Sequence, residues 1–365
     1  MLDRFKVPKE DEVKVSESAL KKTVQEIFEK TGLSKEDSQN GTEVLVTADL
    51  RGVETHGVSN MLRIYVQLFE EGELNKAPNL KVIKETPGTA TIDADRALGI
   101  MAGVPAMETA ISKARNVGVG IVTMFNSGHM GAVGHFSMMA AQQDMVGMCS
   151  VAAGTGILPT FGAEPRLGTN PISIASPSNL EAPILFDAAT SAVAGNKLRL
   201  AARVDATLLP GWVASSDGSP IMEETKIVNR DDYYQLPLGG SREQGSHKGY
   251  GFGLMVEILG SLLSVDDHGM LRDTPSWTPS RTYFAAYNVD AFTDINVYKK
   301  NMDDMLSTLK NTPPAPGHDR VLYPGLSESE EMAQRKETGI PLHKEVIEWF
   351  SSTTKRLGLE EMELL

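Results

Sequence analysis

At 365 residues, with 41% hydrophobic and 23% charged side chains, the chain has globular composition and is long enough for one large or two closely packed domains. Forty-eight acidic residues against 35 basic ones give a formal charge of −13, which disfavours nucleic acid and anionic membrane surfaces, and no run of about 18 apolar residues is present to cross a bilayer. The single cysteine, Cys149, excludes an internal disulfide and a cysteine-clustered metal site and fits a reducing compartment; within VGMCSVAA it reads as buried and inert.

The opening MLDRFKVPKEDEVKV is polar and carries neither a secretory nor a transit pattern, so a cytoplasmic location is expected. Residues 16 to 31 predict an amphipathic helix: Ser16 caps it, Leu20, Val24, Ile27 and Phe28 share a face, and Gly32 ends it. A second helix follows, with Ser34 and Asp37 as a capping box and Val44, Leu45 and Ala48 as its stripe. After Pro78 the pattern becomes α/β. KVIKET and TATIDAD read as strands, residues 100 to 117 as a helix, and VGIVTMF as a buried strand. A small-residue helix near 132 to 143 comes next, then strands VGMCSVAA, PISIASP and PILFDAA, a helix from about Tyr250 to Leu263, and a last strand RTYFAAYNV. Beyond Asp290 helices return at 292 to 310 and 341 to 357, separated by TPPAPGHDR.

Four glycine-containing segments hold the chemistry-bearing residues: THGV (55–58), NSGHMG (126–131), LGTNP (167–171) and SHKGYG (246–251). A histidine titrates near neutrality, as proton exchange with an alcohol or carbonyl oxygen requires, and two are candidates. His56 ends a helical stretch, where it can also serve merely as a cap; His129 lies between Gly128 and Gly131 just beyond a buried strand. His135 falls inside an apolar helix and reads as core or interface, while His247, His268, His318 and His343 lack metal-ligand spacing, so no metal is expected. Asp187 ends an apolar strand, where a carboxylate needs a partner: it can orient a catalytic histidine, meet a cofactor or cap the next element. Lys248 beside glycines at a helix start suits a phosphate, and Arg63 can clamp a carboxylate, although arginines on amphipathic helices are usually solvated. The strand–GxGxxG–helix of a Rossmann unit is absent: GVGIVT, GTGILP and GYGFGL each lack the third glycine.

Taken in order, ADLRGVETHGVSNMLRIY, NSGHMGAVGHF, FGAEPRLGTNPISIASP, ILFDAATS, HKGYGFGLMVEIL and APGHDRVLYPG resemble the type-2 malate/L-lactate dehydrogenase family from about residue 15 to 350. The resemblance implies an α/β (α+β) fold without a Rossmann unit: an all-helical domain from residues 1–78 and 290–365, with a mixed-sheet cofactor-binding domain, 79–289, inserted into it. It also implies NAD or NADP as cofactor, a small 2-oxo/2-hydroxy acid as substrate, and a homodimer with the cofactor near the interface. By position, His129 matches the family's general acid/base, while the histidine of the THGV motif, His56, matches a proton-transfer residue of the imine-reducing members. Asp187, Ala188 and Ala189 match a cofactor-contacting stretch, and Lys248, with Gly249 beside it, a cofactor-contacting lysine.

Two departures fall in the substrate loop. Where many relatives read Ser-His-Gly-Val-x-Arg, this chain has Thr55 and Asn60, and the spacing to Tyr65 is one residue longer. Thr55, Asn60, Arg63, Thr169 and Asn170 are therefore the expected substrate contacts, with Arg63 replacing the missing guanidinium. The reaction expected is reversible hydride transfer at C2 of a 2-hydroxy acid, making the chain a dehydrogenase acting on CH–OH. The alternatives are reduction of a cyclic 2-imino acid or a diketo sugar acid, and a non-catalytic ligand-binding protein of the same fold.

Overall fold

The structure is a computed structural model that describes residues 3–226, 232–264, 270 and 280–365; His268 lies outside the described residues. In chain order its elements are β1 (Glu12–Val15), α1 (Glu17–Thr31), α2 (Lys35–Leu50), a 3-10 turn (Glu54–His56), α3 (Val58–Glu70), β2 (Lys81–Glu85), β3 (Thr89–Asp93), α4 (Gly99–Val117), β4 (Val119–Ser127), α5 (Gly134–Ala141), β5 (Met145–Ala152), β6 (Ile172–Ser176) and β7 (Ile184–Ala188). There follow α6 (Gly195–Arg203), the two-residue strands β8 (Val213–Ala214) and β9 (Tyr234–Gln235), α7 (Ser246–Val256) with a π turn (Glu257–Ser261), β10 (Ser280–Asn288), α8 (Ile295–Lys310), α9 (Leu326–Thr338), β11 (Ile340–His343) and α10 (Lys344–Leu357).

The expected caps form: Ser16 Oγ accepts the Ala19 N–H at 3.1 Å, and Ser34 Oγ accepts from Asp37 at 3.1 Å while donating to its carboxylate at 2.6 Å. Seven strands make one mixed sheet in the order β2-β3-β4-β10-β5-β6-β7. Only β3 and β4 pair in parallel, joined through α4; all other neighbours are antiparallel. Helix α4 lies so close on this sheet that a Cβ on Gly120 would stand 1.8 Å from the Ala110 carbonyl oxygen, so β4 needs glycine there.

One hydrophobic cluster runs from Leu20 and Phe28 on α1 through α2, α3 and α4 to Val122, Met124 and Phe284 in the sheet and on to Phe350 of α10. Cys149 is fully buried within it, and burial raises its thiol pKa. The chain ends meet in an antiparallel pair of β1 with β11, from Glu12 opposite His343 to Val15 opposite Ile340. Helix α8 is fixed elsewhere, beyond β7: the Asp303 carboxylate accepts the backbone N–H groups of Asn179, Leu180 and Glu181 at 3.0–3.1 Å, and Leu306 packs with Tyr323 and Leu326. A second cluster joins Phe5 of the N-terminal segment to Leu198, Leu200, Leu208 and Val213 around α6.

Three expectations change in detail. The helix read from Tyr250 begins earlier, at Ser246, after Gly245 at φ 102°. It also widens into the π turn, where the Glu257 carboxylate bonds Asn170 and Ser261. The segment after TPPAPGHDR contains α9, which the apolar pattern hides because only Leu326 and Arg335 of its residues are buried.

Candidate active site

Two turns face each other at the junction of the helices and the sheet. The first joins α2 to α3 and carries His56. Its shape is set by Asp49, fully buried at the end of α2, whose carboxylate accepts the Val58 N–H at 2.7 Å. A Cβ on Gly57 would stand 2.0 Å from the same carboxyl, which explains the glycine in THGV. Behind the turn Arg335 of α9 reaches Glu54 at 2.7 Å and the Asp49 carbonyl at 2.6 Å. Burial pushes Asp49 up to about 8, the charge of Glu54 adding to it and the Val58 hydrogen bond opposing. The folded chain therefore holds a proton that an exposed aspartate, at 3.8, has released, and stability falls as pH rises between those values. Because the lowered histidines act in the opposite sense below pH 6.5, the check is the difference: between pH 5 and 8 the thermal midpoint of the wild type should fall relative to that of Asp49→Asn.

The second turn leaves the end of β4 and carries His129 to the N-terminus of α5. Tyr65 of α3 lies 2.6 Å from His129 Nδ1 through its hydroxyl, and the Gly131 N–H donates to the same nitrogen at 3.2 Å. A backbone N–H can only donate, so Nδ1 is an acceptor and the neutral ring carries its hydrogen on Nε2. His56 stacks on His129 with centroids 5.6 Å apart and planes 8° from parallel, and Thr55 Oγ1 is 2.9 Å from His56 Nδ1. Both rings keep partial access to solvent. Burial lowers His129 to about 3, with the charges of His56 and Arg199 adding; burial and the charge of Lys197 lower His56 to about 4. The pair is neutral at physiological pH.

Asp187 sits at the end of the edge strand β7, and its carboxylate accepts the Gly134 N–H at 2.7 Å. That bond ties it to the start of α5, five residues past His129, and no hydrogen bond joins it to either histidine among the described residues. The side chain is accessible to solvent yet flanked closely by protein. Burial lifts it to about 6, opposed by the Gly134 hydrogen bond and the charge of Arg51. Ala188 and Ala189 lead to Thr190, whose N–H and hydroxyl both donate to the Thr169 carbonyl, at 2.9 and 3.2 Å. Lys248 is exposed in the first turn of α7, with no ion pair among the described residues. Gly249 beside it is required by packing, since a Cβ would stand 2.5 Å from the Leu238 backbone.

The proposed substrate contacts divide. Thr55 lies in the histidine turn and Asn60 in the first turn of α3. Asn170 does not reach the site: fully buried at φ 37°, it accepts from Ala153 N–H at 3.1 Å and donates to the Gly253 carbonyl at 3.0 Å and to Glu257 at 3.1 Å, so its amide is used in holding α7 on β5. Arg63 is also engaged elsewhere, over the Trp349 ring at 5.8 Å and 3.4 Å from Glu345. The guanidinium that meets Asn60 comes from Arg203 of α6, which donates to Asn60 Oδ1 at 2.7 Å and to the Ser59 carbonyl at 3.2 Å. Sequence reasoning assigned no role to Tyr65, Lys197, Arg203 or Arg335. For Tyr65 a signal existed in its spacing from His56, while the two cations of α6 lie far along the chain from the turn they reach.

Residues 15–351 match the malate/L-lactate dehydrogenase family. The malate dehydrogenase of Pyrococcus abyssi is 35% identical over 358 residues, which cover 97% of this chain and 98% of that one. The L-sulfolactate dehydrogenase of Methanocaldococcus jannaschii is 33% identical over 342 residues, 93% and 96% of the two chains. The crystal structure of the malate dehydrogenase from Entamoeba histolytica superposes with a TM-score of 0.90 at 32% identity, covering 96% of this chain and 99% of that one. With the family match spanning nearly its whole length and the mixed, non-Rossmann sheet shared with a solved relative, the chain belongs to the malate/L-lactate dehydrogenase family of oxidoreductases acting on CH–OH groups.

Proposed function

We propose that the enzyme interconverts a small 2-hydroxy acid of the malate or lactate type and its 2-oxo acid, with His129 exchanging the hydroxyl proton. The observation that carries this reading is the His129 ring, whose Nδ1 is occupied by Tyr65 and Gly131 and whose face is covered by His56. That leaves Nε2 as the nitrogen able to meet a substrate oxygen. In the reducing direction the imidazolium form gives its Nε2 proton to the carbonyl oxygen as hydride reaches C2, leaving a neutral ring whose Nδ1–H the Tyr65 hydroxyl can accept, and solvent reprotonates the ring in each turnover. In the oxidising direction the ring in that Nδ1–H tautomer takes the hydroxyl proton on Nε2 as hydride leaves C2 and passes it to solvent, and the lowered histidine pKa values keep the rings unprotonated beforehand. Thr55 holds the neighbouring ring, His56, in its parallel orientation.

A nicotinamide dinucleotide, NAD or NADP, supplies the hydride acceptor or donor when bound. The site suits one: Lys248, with no ion pair among the described residues and at the positive end of α7, fits a phosphate, and the open Asp187 edge with Ala188 and Ala189 offers a carboxylate and small residues near the histidine turn. Lys248→Ala is expected to weaken NADH or NADPH binding about tenfold, the scale of a hydrogen bond to a charged group, as read by cofactor fluorescence titration. The same titration distinguishes the two cofactors.

A homodimer completes the proposal. Phe252, Met255, Ile258 and Leu262 recur at helical spacing along α7 and its π turn and are each about half exposed, at 47–54%, an apolar stripe that a second copy would cover beside Lys248. Light scattering should give twice the chain mass, and Met255→Glu should shift it toward the monomer. The catalytic reading is tested by following NADH and NADPH oxidation with pyruvate, oxaloacetate and a cyclic 2-imino acid. Turnover of a 2-oxo acid supports it, turnover confined to the imino acid replaces it with imine reduction, and no turnover on any of them sinks it.

A further inference from the structure

We propose that Lys197 is the cation that binds the substrate's carboxylate and that Phe5 of the N-terminal segment is its positioning residue; this rests on the 2-hydroxy acid reading and adds a binding residue to that site. A carboxylate brought against two neutral imidazoles needs a positive charge within the same enclosure. Most cations around the turn are already engaged: Arg63 with Glu345 and Trp349, Arg203 with Asn60, the Ser59 carbonyl and Glu345, and Arg335 with Glu54, Glu331 and the Asp49 carbonyl. Arg199 has a contact of its own, and Arg51, though it makes no ion pair among the described residues, lies in the field of the Glu328 and Asp187 carboxylates. Lys197 differs. Among the described residues its ammonium has no ion pair and no hydrogen bond, only the face of the Phe5 ring 5.4 Å away.

Its placement is fixed from both sides. The start of α6 is pinned to the histidine turn, where Asn60 donates to the Asn196 carbonyl at 3.3 Å and the Asn196 amide lies 3.2 Å from Met61 Sδ. On the other side Phe5 is fully buried and stacks on Trp212 at 5.7 Å. The stem of Lys197 is thus held between the turn and an aromatic floor, and the ammonium's charge is felt at His56. Burial lowers its own pKa, with the charge of Glu54 opposing. A partly desolvated cation facing only an aromatic ring is costly to keep, and an arriving carboxylate would satisfy it.

The test compares Lys197→Met, Lys197→Arg and Phe5→Leu with the wild type, using the accepted 2-oxo acid and its C1 amide, which keeps the carbonyl and lacks the charge. Lys197→Met should raise KM for the acid about 10- to 100-fold, with a smaller change in kcat, while leaving KM for the amide and cofactor affinity near wild type. Lys197→Arg should restore part of the acid's KM, and Phe5→Leu should raise it severalfold. Equal changes for acid and amide, or weakened cofactor binding, would mark a structural role and overturn the assignment, as would an unchanged KM. A wild type inactive on every 2-oxo acid would instead defeat the functional reading. Calorimetric titration of oxaloacetate then still decides Lys197: equal binding to wild type and Lys197→Met, or binding to neither, overturns it.

Discussion

His129→Ala is expected to lower kcat by about 10³-fold, within the 10²–10⁴ range of a positioned acid/base, while substrate and cofactor affinity change little. The basis is geometric. His129 is the ring whose far nitrogen is held by Tyr65 at 2.6 Å and by Gly131 at 3.2 Å, so its orientation is set and one nitrogen is left for chemistry. His56 has a single side-chain partner at 2.9 Å, Thr55, and its removal uncovers one face of His129 without untying it. His56→Ala should therefore cost nearer tenfold. A reversed order would transfer the proton to His56. The pH profile gives a second check. With His129 near 3 and His56 near 4, both rings are already unprotonated at pH 5, so kcat/KM for oxidation of the hydroxy acid, which needs a proton acceptor, should not fall between pH 7 and 5. A fall with a midpoint near 6.5 would mean that the imidazole is solvated as in a free peptide.

Both histidines were legible in the sequence because each sits among glycines between regular elements, and local chain shape is a short-range property. Their stacking was not, nor was the bond from Tyr65 to His129, which spans 64 residues. The sheet strands were readable from apolar runs, while β1 and β11, four residues each, carry too little pattern to register before the ends of the chain are brought together. Arg63 points away from the histidines for a reason available in the helix itself. Residues two apart on an α-helix point roughly 200° away from one another. With Tyr65 turned inward to His129, Arg63 faces outward, where Trp349 and Glu345 take it up. Asn60, one turn before Ile64, lies inside, where its amide oxygen accepts from Arg203 of α6, a contact visible only in three dimensions.

Arg335→Met is expected to destabilise the fold by about 3–5 kcal/mol, the cost of leaving a buried charge without its partner. Arg335 and Glu54 have side chains 8% and 5% exposed and meet at 2.7 Å, with Glu331 and the Asp49 carbonyl taking the other donors. Among the described residues the second Glu54 oxygen has no hydrogen-bond partner, and burial already raises that carboxyl against the pull of Arg335, so removing the guanidinium drives Glu54 either to take up a proton or to open the turn. Because Glu54 opens the 3-10 turn that ends at His56, part of the loss should appear as lower kcat in the folded fraction. The double variant Glu54→Gln with Arg335→Met tests the cause. A neutral amide in place of the stranded carboxylate should recover a good part of the stability in thermal or denaturant unfolding, which separates an uncompensated charge from simple loss of packing at α9. If the double variant were as unstable as Arg335→Met alone, the bond to the Asp49 carbonyl would be the contact that matters.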